Sequence, residues 1–276
     1  NAGSIVGYIF PLLFTWIGIK NIAPEGQVPD SVIWSFYVGA AILILCVIYT
    51  MANVKEMPPE EFAQYQIKDD AQAGTTSTTA PKGAWAVFFQ VGVVQFFCWA
   101  AFLYMWTYTN GSIAETVWGT KDAASEAYQN AGNWVGVIFA VQAVGSVLWA
   151  VALPLFKNTK LAYAVSLLIG AVGFAIVPFC TNQYMLFVPY FLIGCAWAAM
   201  LAMPFTFVTN AFEGSSRMGT VLGLFNCTIC LPQIVAAATG GIVMSLVGSS
   251  QPNMFIVAAA FLVIATVCVF IIKDKK

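Results

Sequence analysis

The chain has 276 residues, of which 60% are hydrophobic and 8% charged, where a soluble domain carries roughly 25% charged residues; its mean hydropathy is +0.82. A water-soluble fold of this length has nowhere to hide so much apolar surface, so the composition excludes a soluble domain and points to a polytopic membrane protein. The net charge of −1 excludes the basic footprint of a nucleic-acid partner, and the absence of alternating apolar and polar positions excludes a membrane β-barrel.

A transmembrane helix needs about 20 mostly apolar residues. Eight segments meet that need: 1–20, 32–53, 84–107, 133–155, 161–180, 184–208, 218–247 and 254–272. The first opens at Asn1 with no methionine and no basic flank, which is not a signal peptide and reads as the middle of a larger protein. It carries Ser4 and Tyr8 besides Asn1. After the second comes a connection, 54–83, whose GTTSTTAPKG stretch has the composition of a flexible polar linker. The third carries Gln90 and Gln95, and Gln95, Trp99, Phe102 and Trp106 share one helical stripe. A second long connection, 108–132, follows. The fourth segment carries Asn133, and places Gln142, Ser146 and Trp149 on one stripe. The fifth and eighth hold little that is polar beyond Ser166 and Thr266, as expected of lipid-facing or purely structural helices.

The seventh segment is the most informative. It carries Asn226, Pro232 and Gln233 together with Gly219, Gly223, Gly240 and Gly241. Asn226 and Gln233 are two helical turns apart and so share a face. Amides are expensive in hydrocarbon, and inside a span they face a partner or a water-filled cavity. Amides beside aromatic rings suit a sugar, because amides bond hydroxyls and ring faces stack on the C–H faces of a pyranose. The same amides can instead join helices, at about 0.6–2 kcal/mol each. Small-xxx-small pairs such as Gly219 and Gly223 fit close helix contact. Prolines at 11, 154, 178, 189, 204 and 232 fall within spans and are expected to bend them.

None of the acidic residues falls mid-span, so the chain is expected to lack its own coupling carboxylate, with Glu115 in the second long connection the nearest candidate. The seven cysteines all sit in apolar runs, and the Cys227-x-x-Cys230 spacing lies within a helix, so inert buried thiols are expected rather than a metal or redox site. There is no histidine, no nucleophile–base pair and no phosphate loop, so neither enzyme activity nor a cofactor is expected.

Eight alternating spans put both chain ends on one side. That side holds Lys55, Lys68, Lys82, Lys157, Lys160, Arg217, Lys273, Lys275 and Lys276, and the other holds Lys20 and Lys121. The bias leads to the expectation that both ends and the 54–83 linker are cytoplasmic, and the plasma (cell inner) membrane is the expected location. Trp34, Trp85, Trp106, Trp118 and Trp134 lie near span ends, as interfacial anchors do.

The pattern Gly223-x-x-Asn226-x-x-Ile229-x-x-Pro232-Gln233 resembles the eleventh helix of the sucrose/proton symporter group in the glycoside–pentoside–hexuronide:cation symporter family, within the major facilitator superfamily. Gly194-x-x-x-Ala198 with Pro204-Phe205 resembles that group's tenth helix, and Trp99 to Gly119 its seventh helix and following loop. The family's paired acidic positions there hold uncharged residues, and Glu115 aligns only after a one-residue shift. GSIVGY at 3–8 resembles the fifth helix and VKEMPP at 54–59 the end of the sixth. The resemblance implies a partial major facilitator fold, all-α and integral to the membrane, with eight of twelve helices. Residues 1–53 would end the N-terminal bundle, 54–83 would be the cytoplasmic linker, and 84–276 the C-terminal bundle. It implies cation-coupled symport, with a proton or sodium, of a di- or oligosaccharide by alternating access. Gln95, Trp99, Gln142, Asn226 and Gln233 are the expected sugar contacts. The rival expectations are a facilitator for a less polar solute, such as a drug or nucleoside, and a membrane scaffold or sensor that does not transport.

Overall fold

Apolar runs this long bury their own backbone polar groups by forming helices, the one open-ended secondary structure that hydrocarbon tolerates. The computed structural model describes residues 2–21, 23–24, 27–58, 61, 80–215 and 217–273. Among them run nine α-helices: α1 (Ala2–Trp16), α2 (Asp30–Asn53), α3 (Ala84–Thr116), α4 (Glu126–Ala152), α5 (Thr159–Ile176), α6 (Phe187–Ala211), α7 (Met218–Phe225), α8 (Cys227–Leu246) and α9 (Asn253–Val269). Taking α7 and α8 as one stretch, six stretches among the described residues are long and apolar enough to cross a bilayer; α1 and α9 are apolar but shorter. The GTTSTT part of the expected linker, Lys68, Lys275 and Lys276 lie outside the described residues.

Helix α6 is central, packed on α3, α4 and α5. Helix α9 joins α3 to α5, and α8 lies along α3. Helix α1 rests on α4, and α2 packs on α1 with Ser31 as its one buried residue. Most of α2 is therefore bare apolar surface, with Phe36, Tyr37, Leu45 and Met51 all at least 64% exposed. This is an all-α integral membrane fold.

The helices alternate in direction. One end of the bundle, here the distal end, gathers the connections after α1, α3, α5 and α8. There the Gln129 side chain holds the backbone of Ala23 in both directions, donating to its carbonyl (2.9 Å) and accepting from its N–H (3.1 Å), and Trp134 Nε1 donates to the Gln183 carbonyl (3.1 Å). At the opposite, proximal end the Lys273 N–H donates to Gln90 Oε1 (2.9 Å), and Trp85 meets Phe212 edge to face.

Several boundaries differ from expectation. Helix α3 continues nine residues past 107, into the expected 108–132 connection. Within this extension the Thr109 hydroxyl donates to the Met105 carbonyl (2.6 Å) and lies 3.1 Å from the Tyr190 hydroxyl, while Asn110 Oδ1 and Ser112 Oγ are buried without a hydrogen-bond partner. Helix α4 starts seven residues before 133, because Ser125 caps it by accepting from Tyr128 N–H (3.2 Å) and Glu126 favours its first turn. Pro154 and Pro178 end α4 and α5 in short 3-10 turns instead of bending them, whereas Pro11, Pro204 and Pro232 stay inside helices. The expected span 218–247 is broken at Asn226.

Close approach decides where the small residues go. A Cβ built at Gly194 would overlap the Gln142 carbonyl and come within 2.8 Å of the Ser146 nitrogen. The α4–α6 crossing is thus backbone against backbone, the small-residue packing that membrane helices use.

Candidate functional site

Four helices meet around a small pocket. Ser4 and Tyr8 come from α1, Trp106 from α3, Phe139, Gln142 and Ala143 from α4, and Trp197 from α6; the pocket volume is about 60 Å³. The Gly194 crossing sets its depth, since it pulls the Gln142 backbone against α6, from which Trp197 projects one turn further on. Gln142 is buried, and is the one amide lining the pocket. The tryptophans form a cluster behind it: Trp106 lies 5.5 Å from Trp197 and 6.4 Å from Trp99, and Trp99 lies 5.7 Å from Trp197. Phe102 packs on Trp197 at 5.1 Å. Trp106 is therefore not an interfacial anchor: α3 continues ten residues beyond it, which places the indole inside the bundle.

One turn along α3 from Trp99 sits Gln95. It is fully buried, and neither its Nε2 nor its Oε1 has a hydrogen-bond partner; the buried Trp99 Nε1 has none either. Spaced i, i+4, these groups share a face. An orphaned buried polar group costs about 1–3 kcal/mol. The expected stripe of Gln142, Ser146 and Trp149 is divided instead. Trp149 turns to α5, where its Nε1 donates to the Ser166 hydroxyl (2.8 Å), and Ser166 donates to the Ala162 carbonyl (2.6 Å).

Asn226 and Gln233 lie elsewhere, and their amides serve their own helix. At the α7–α8 break the Asn226 N–H goes to the Gly223 carbonyl (3.2 Å), and its side-chain Nδ2 takes the Leu222 carbonyl (3.3 Å) that the backbone has given up. Gln233 Nε2 donates to the Ile229 carbonyl (3.2 Å), beside the donor that Pro232 lacks. Asn226 and Cys230 are exposed, and no heavy atom of the described residues lies within 4 Å of a Cβ built at Gly219, Gly223 or Gly241. This face of α7 and α8 is open, and neither amide lines the central pocket.

Glu115, in the last two residues of α3, pairs with Lys121 (3.1 Å) and accepts from the Ser250 hydroxyl (3.0 Å). It ties the α3, α3–α4 and α8–α9 segments together at the distal end. Of the other described carboxylates, Asp30 and Glu126 open helices α2 and α4, and Glu56, Glu61, Asp122 and Glu213 lie outside the spans.

No protein-family model matches the chain. The chain is an all-α integral membrane protein. It is similar to the magnetosome protein MamH of Paramagnetospirillum magneticum, with 27% identity over 137 residues, which is 49% of this chain and 31% of that protein.

Trp197 and Phe139 were not singled out by the sequence. Trp197 sits within the Gly194 motif, whose small residues signal close packing, and the signal that could have found it is the neighbouring Trp106 stripe. Phe139 precedes Gln142 by one turn on α4, a spacing that would have placed both on one face.

Proposed function

We propose that the chain is the C-terminal part of a secondary active transporter of the major facilitator type, carrying a sugar by alternating access and coupled to a cation. The observation that carries this reading is the buried Gln142 amide beside the rings of Trp106 and Trp197, at the junction of α1, α3, α4 and α6. An amide donates to and accepts from hydroxyls, and indole faces pack on C–H surfaces. At about 60 Å³ the pocket has room for about two waters. A di- or oligosaccharide enters when α1, which carries Tyr8, moves off α4, a rocking of one helix group against the other about a midplane site. The orphaned Gln95 and Trp99 groups then gain hydroxyl or water partners. No covalent chemistry is involved.

The coupling cation is a proton or sodium. Glu115 is engaged by Lys121 and Ser250, so we assign it to the distal closure and place the coupling charge in helices outside this chain.

The test is counterflow of radiolabelled sucrose in proteoliposomes containing the full-length protein. Gln142→Ala removes one hydrogen-bonding side chain, worth about 1 kcal/mol and so roughly five-fold in rate, and Trp197→Ala removes the stacking ring. Both variants should express and remain monodisperse. Wild-type counterflow in both overturns the site.

One observation favours a less polar solute. Between α3 and α7–α8 runs an apolar groove of about 640 Å³, lined by Phe88, Phe89, Phe96, Leu224 and Leu231 among others. If it is the path, apolar amines will compete for transport and glycosides will not.

A further inference from the structure

A second pocket, of about 470 Å³, opens at the distal end between the α1–α2 connection, the end of α3 and the first turns of α4. It is several times the volume of the central pocket and lies within the range that small-molecule sites occupy. Its polar lining is almost entirely amide and phenol: Asn21, Gln27, Asn110, Asn133, Tyr8 and Tyr128 face it. None of its described lining residues carries a charge at neutral pH.

The amides are not equivalent. Gln129 is spent on the backbone of Ala23, and Asn21 Oδ1 accepts from the Ser31 hydroxyl, so these two residues build the wall. Asn110 Oδ1 is buried with no partner. The Asn110 side chain rests against α4 at Gly132. The half-buried Asn133 and the exposed Gln27 present their amides to the same pocket. A buried acceptor without a donor, beside two further amides in a pocket whose described lining is uncharged, is matched by a ligand that supplies several hydroxyls and no charge. Pro11, Pro24 and Pro29 and the two tyrosines supply flat apolar surface for C–H faces.

We propose that this distal pocket is a separate binding site for a small neutral polyhydroxylated molecule, with Asn110, Asn133 and Gln27 as its hydrogen-bonding residues. It shares Tyr8 with the central pocket: Tyr8 lines both, so a molecule held distally rests against the central site's wall. The distal site stands on its own lining and does not require that the central pocket carry sugar.

The test uses the purified full-length protein in nanodiscs with sucrose as the probe and glucuronate as its charged control. Exposed Ala124 lines the pocket, so an Ala124→Cys variant reports on it by its rate of alkylation with a water-soluble maleimide, measured above the native cysteines of the parent. Sucrose should slow that alkylation and glucuronate should not. Adding Asn110→Leu or Asn133→Leu should raise the sucrose concentration needed for half protection by about ten-fold, the loss of one or two hydrogen bonds. Adding Gln142→Ala, in the central pocket, should leave protection in place while counterflow falls, which separates failure of one site from failure of the other. No protection of Ala124→Cys by sucrose overturns the distal site, as does equal protection by glucuronate. The protection measurement needs only the Ala124→Cys variant, so it decides the question even if Asn110→Leu does not fold.

Discussion

Gln95 is a buried amide whose two polar atoms have no partner, one turn from an indole N–H in the same condition. If it served only to pack α3, leucine would serve better, since the isostere removes an orphaned group worth about 1–3 kcal/mol. A contact that forms only when the pocket opens would instead be lost. Gln95→Leu is therefore expected to raise the thermal unfolding midpoint in detergent while lowering sucrose counterflow. A higher midpoint with unchanged counterflow would make Gln95 a packing residue. Glu115 presents the opposite case. Its partner Lys121 is 70% exposed on its side chain, and such an ion pair contributes little to stability.

At the scale of the helix, the sequence and the structure agree most where apolarity alone decides. Helices α2, α5 and α9 fall within a few residues of expectation because their few hydroxyls, such as Ser35, Thr50, Ser166 and Thr266, bond carbonyls of their own helix and leave the apolar runs uninterrupted. They disagree where polar residues sit inside helices. The stretch after 107 is expected as a connection, yet the helix runs on to Thr116, and the Thr109 hydroxyl bonds Met105 and meets Tyr190, a residue 81 positions away that no local pattern reveals. The expected span 218–247 is interrupted at Asn226, whose side-chain amide, like that of Gln233, donates to a carbonyl of its own helix while the face that carries Asn226 and Cys230 stays open. Of the five expected contacts, Gln142 lines the central pocket and Trp99 backs it, because both lie on faces directed into the bundle. Which face is directed inward depends on neighbouring helices, and single-helix spacing does not carry that information. The α4–α6 crossing gives the element-scale prediction. Gly194→Ala places a methyl on the Gln142 carbonyl, so the helices must part, at a cost of about 1–3 kcal/mol. Gly241→Ala, with open space around it, should be neutral or gain up to about 1 kcal/mol from helix propensity. Thermal unfolding followed by size-exclusion chromatography compares the two; equal midpoints would mean the crossing is not tight.

For the whole molecule, the alternating helices turn a sequence bias into a geometric one. Among the described residues, Lys55, Lys82, Lys157, Lys160, Arg217 and Lys273 belong to the proximal end, and Lys20 and Lys121 to the distal end. Translocation of basic residues is disfavoured, so the proximal end is expected in the cytoplasm. The distal pocket then faces outward, and the central pocket lies between the two ends. Exposed positions on opposite ends test this directly: Asp122→Cys in the distal α3–α4 connection and Lys157→Cys in the proximal α4–α5 connection. In intact cells, a membrane-impermeant maleimide should label Asp122→Cys at once and Lys157→Cys only after permeabilisation. The reverse order would invert the molecule. It would turn the distal pocket inward, and a solute reaching it would then come from the cytoplasm, so the same labelling fixes which face of the membrane each pocket serves.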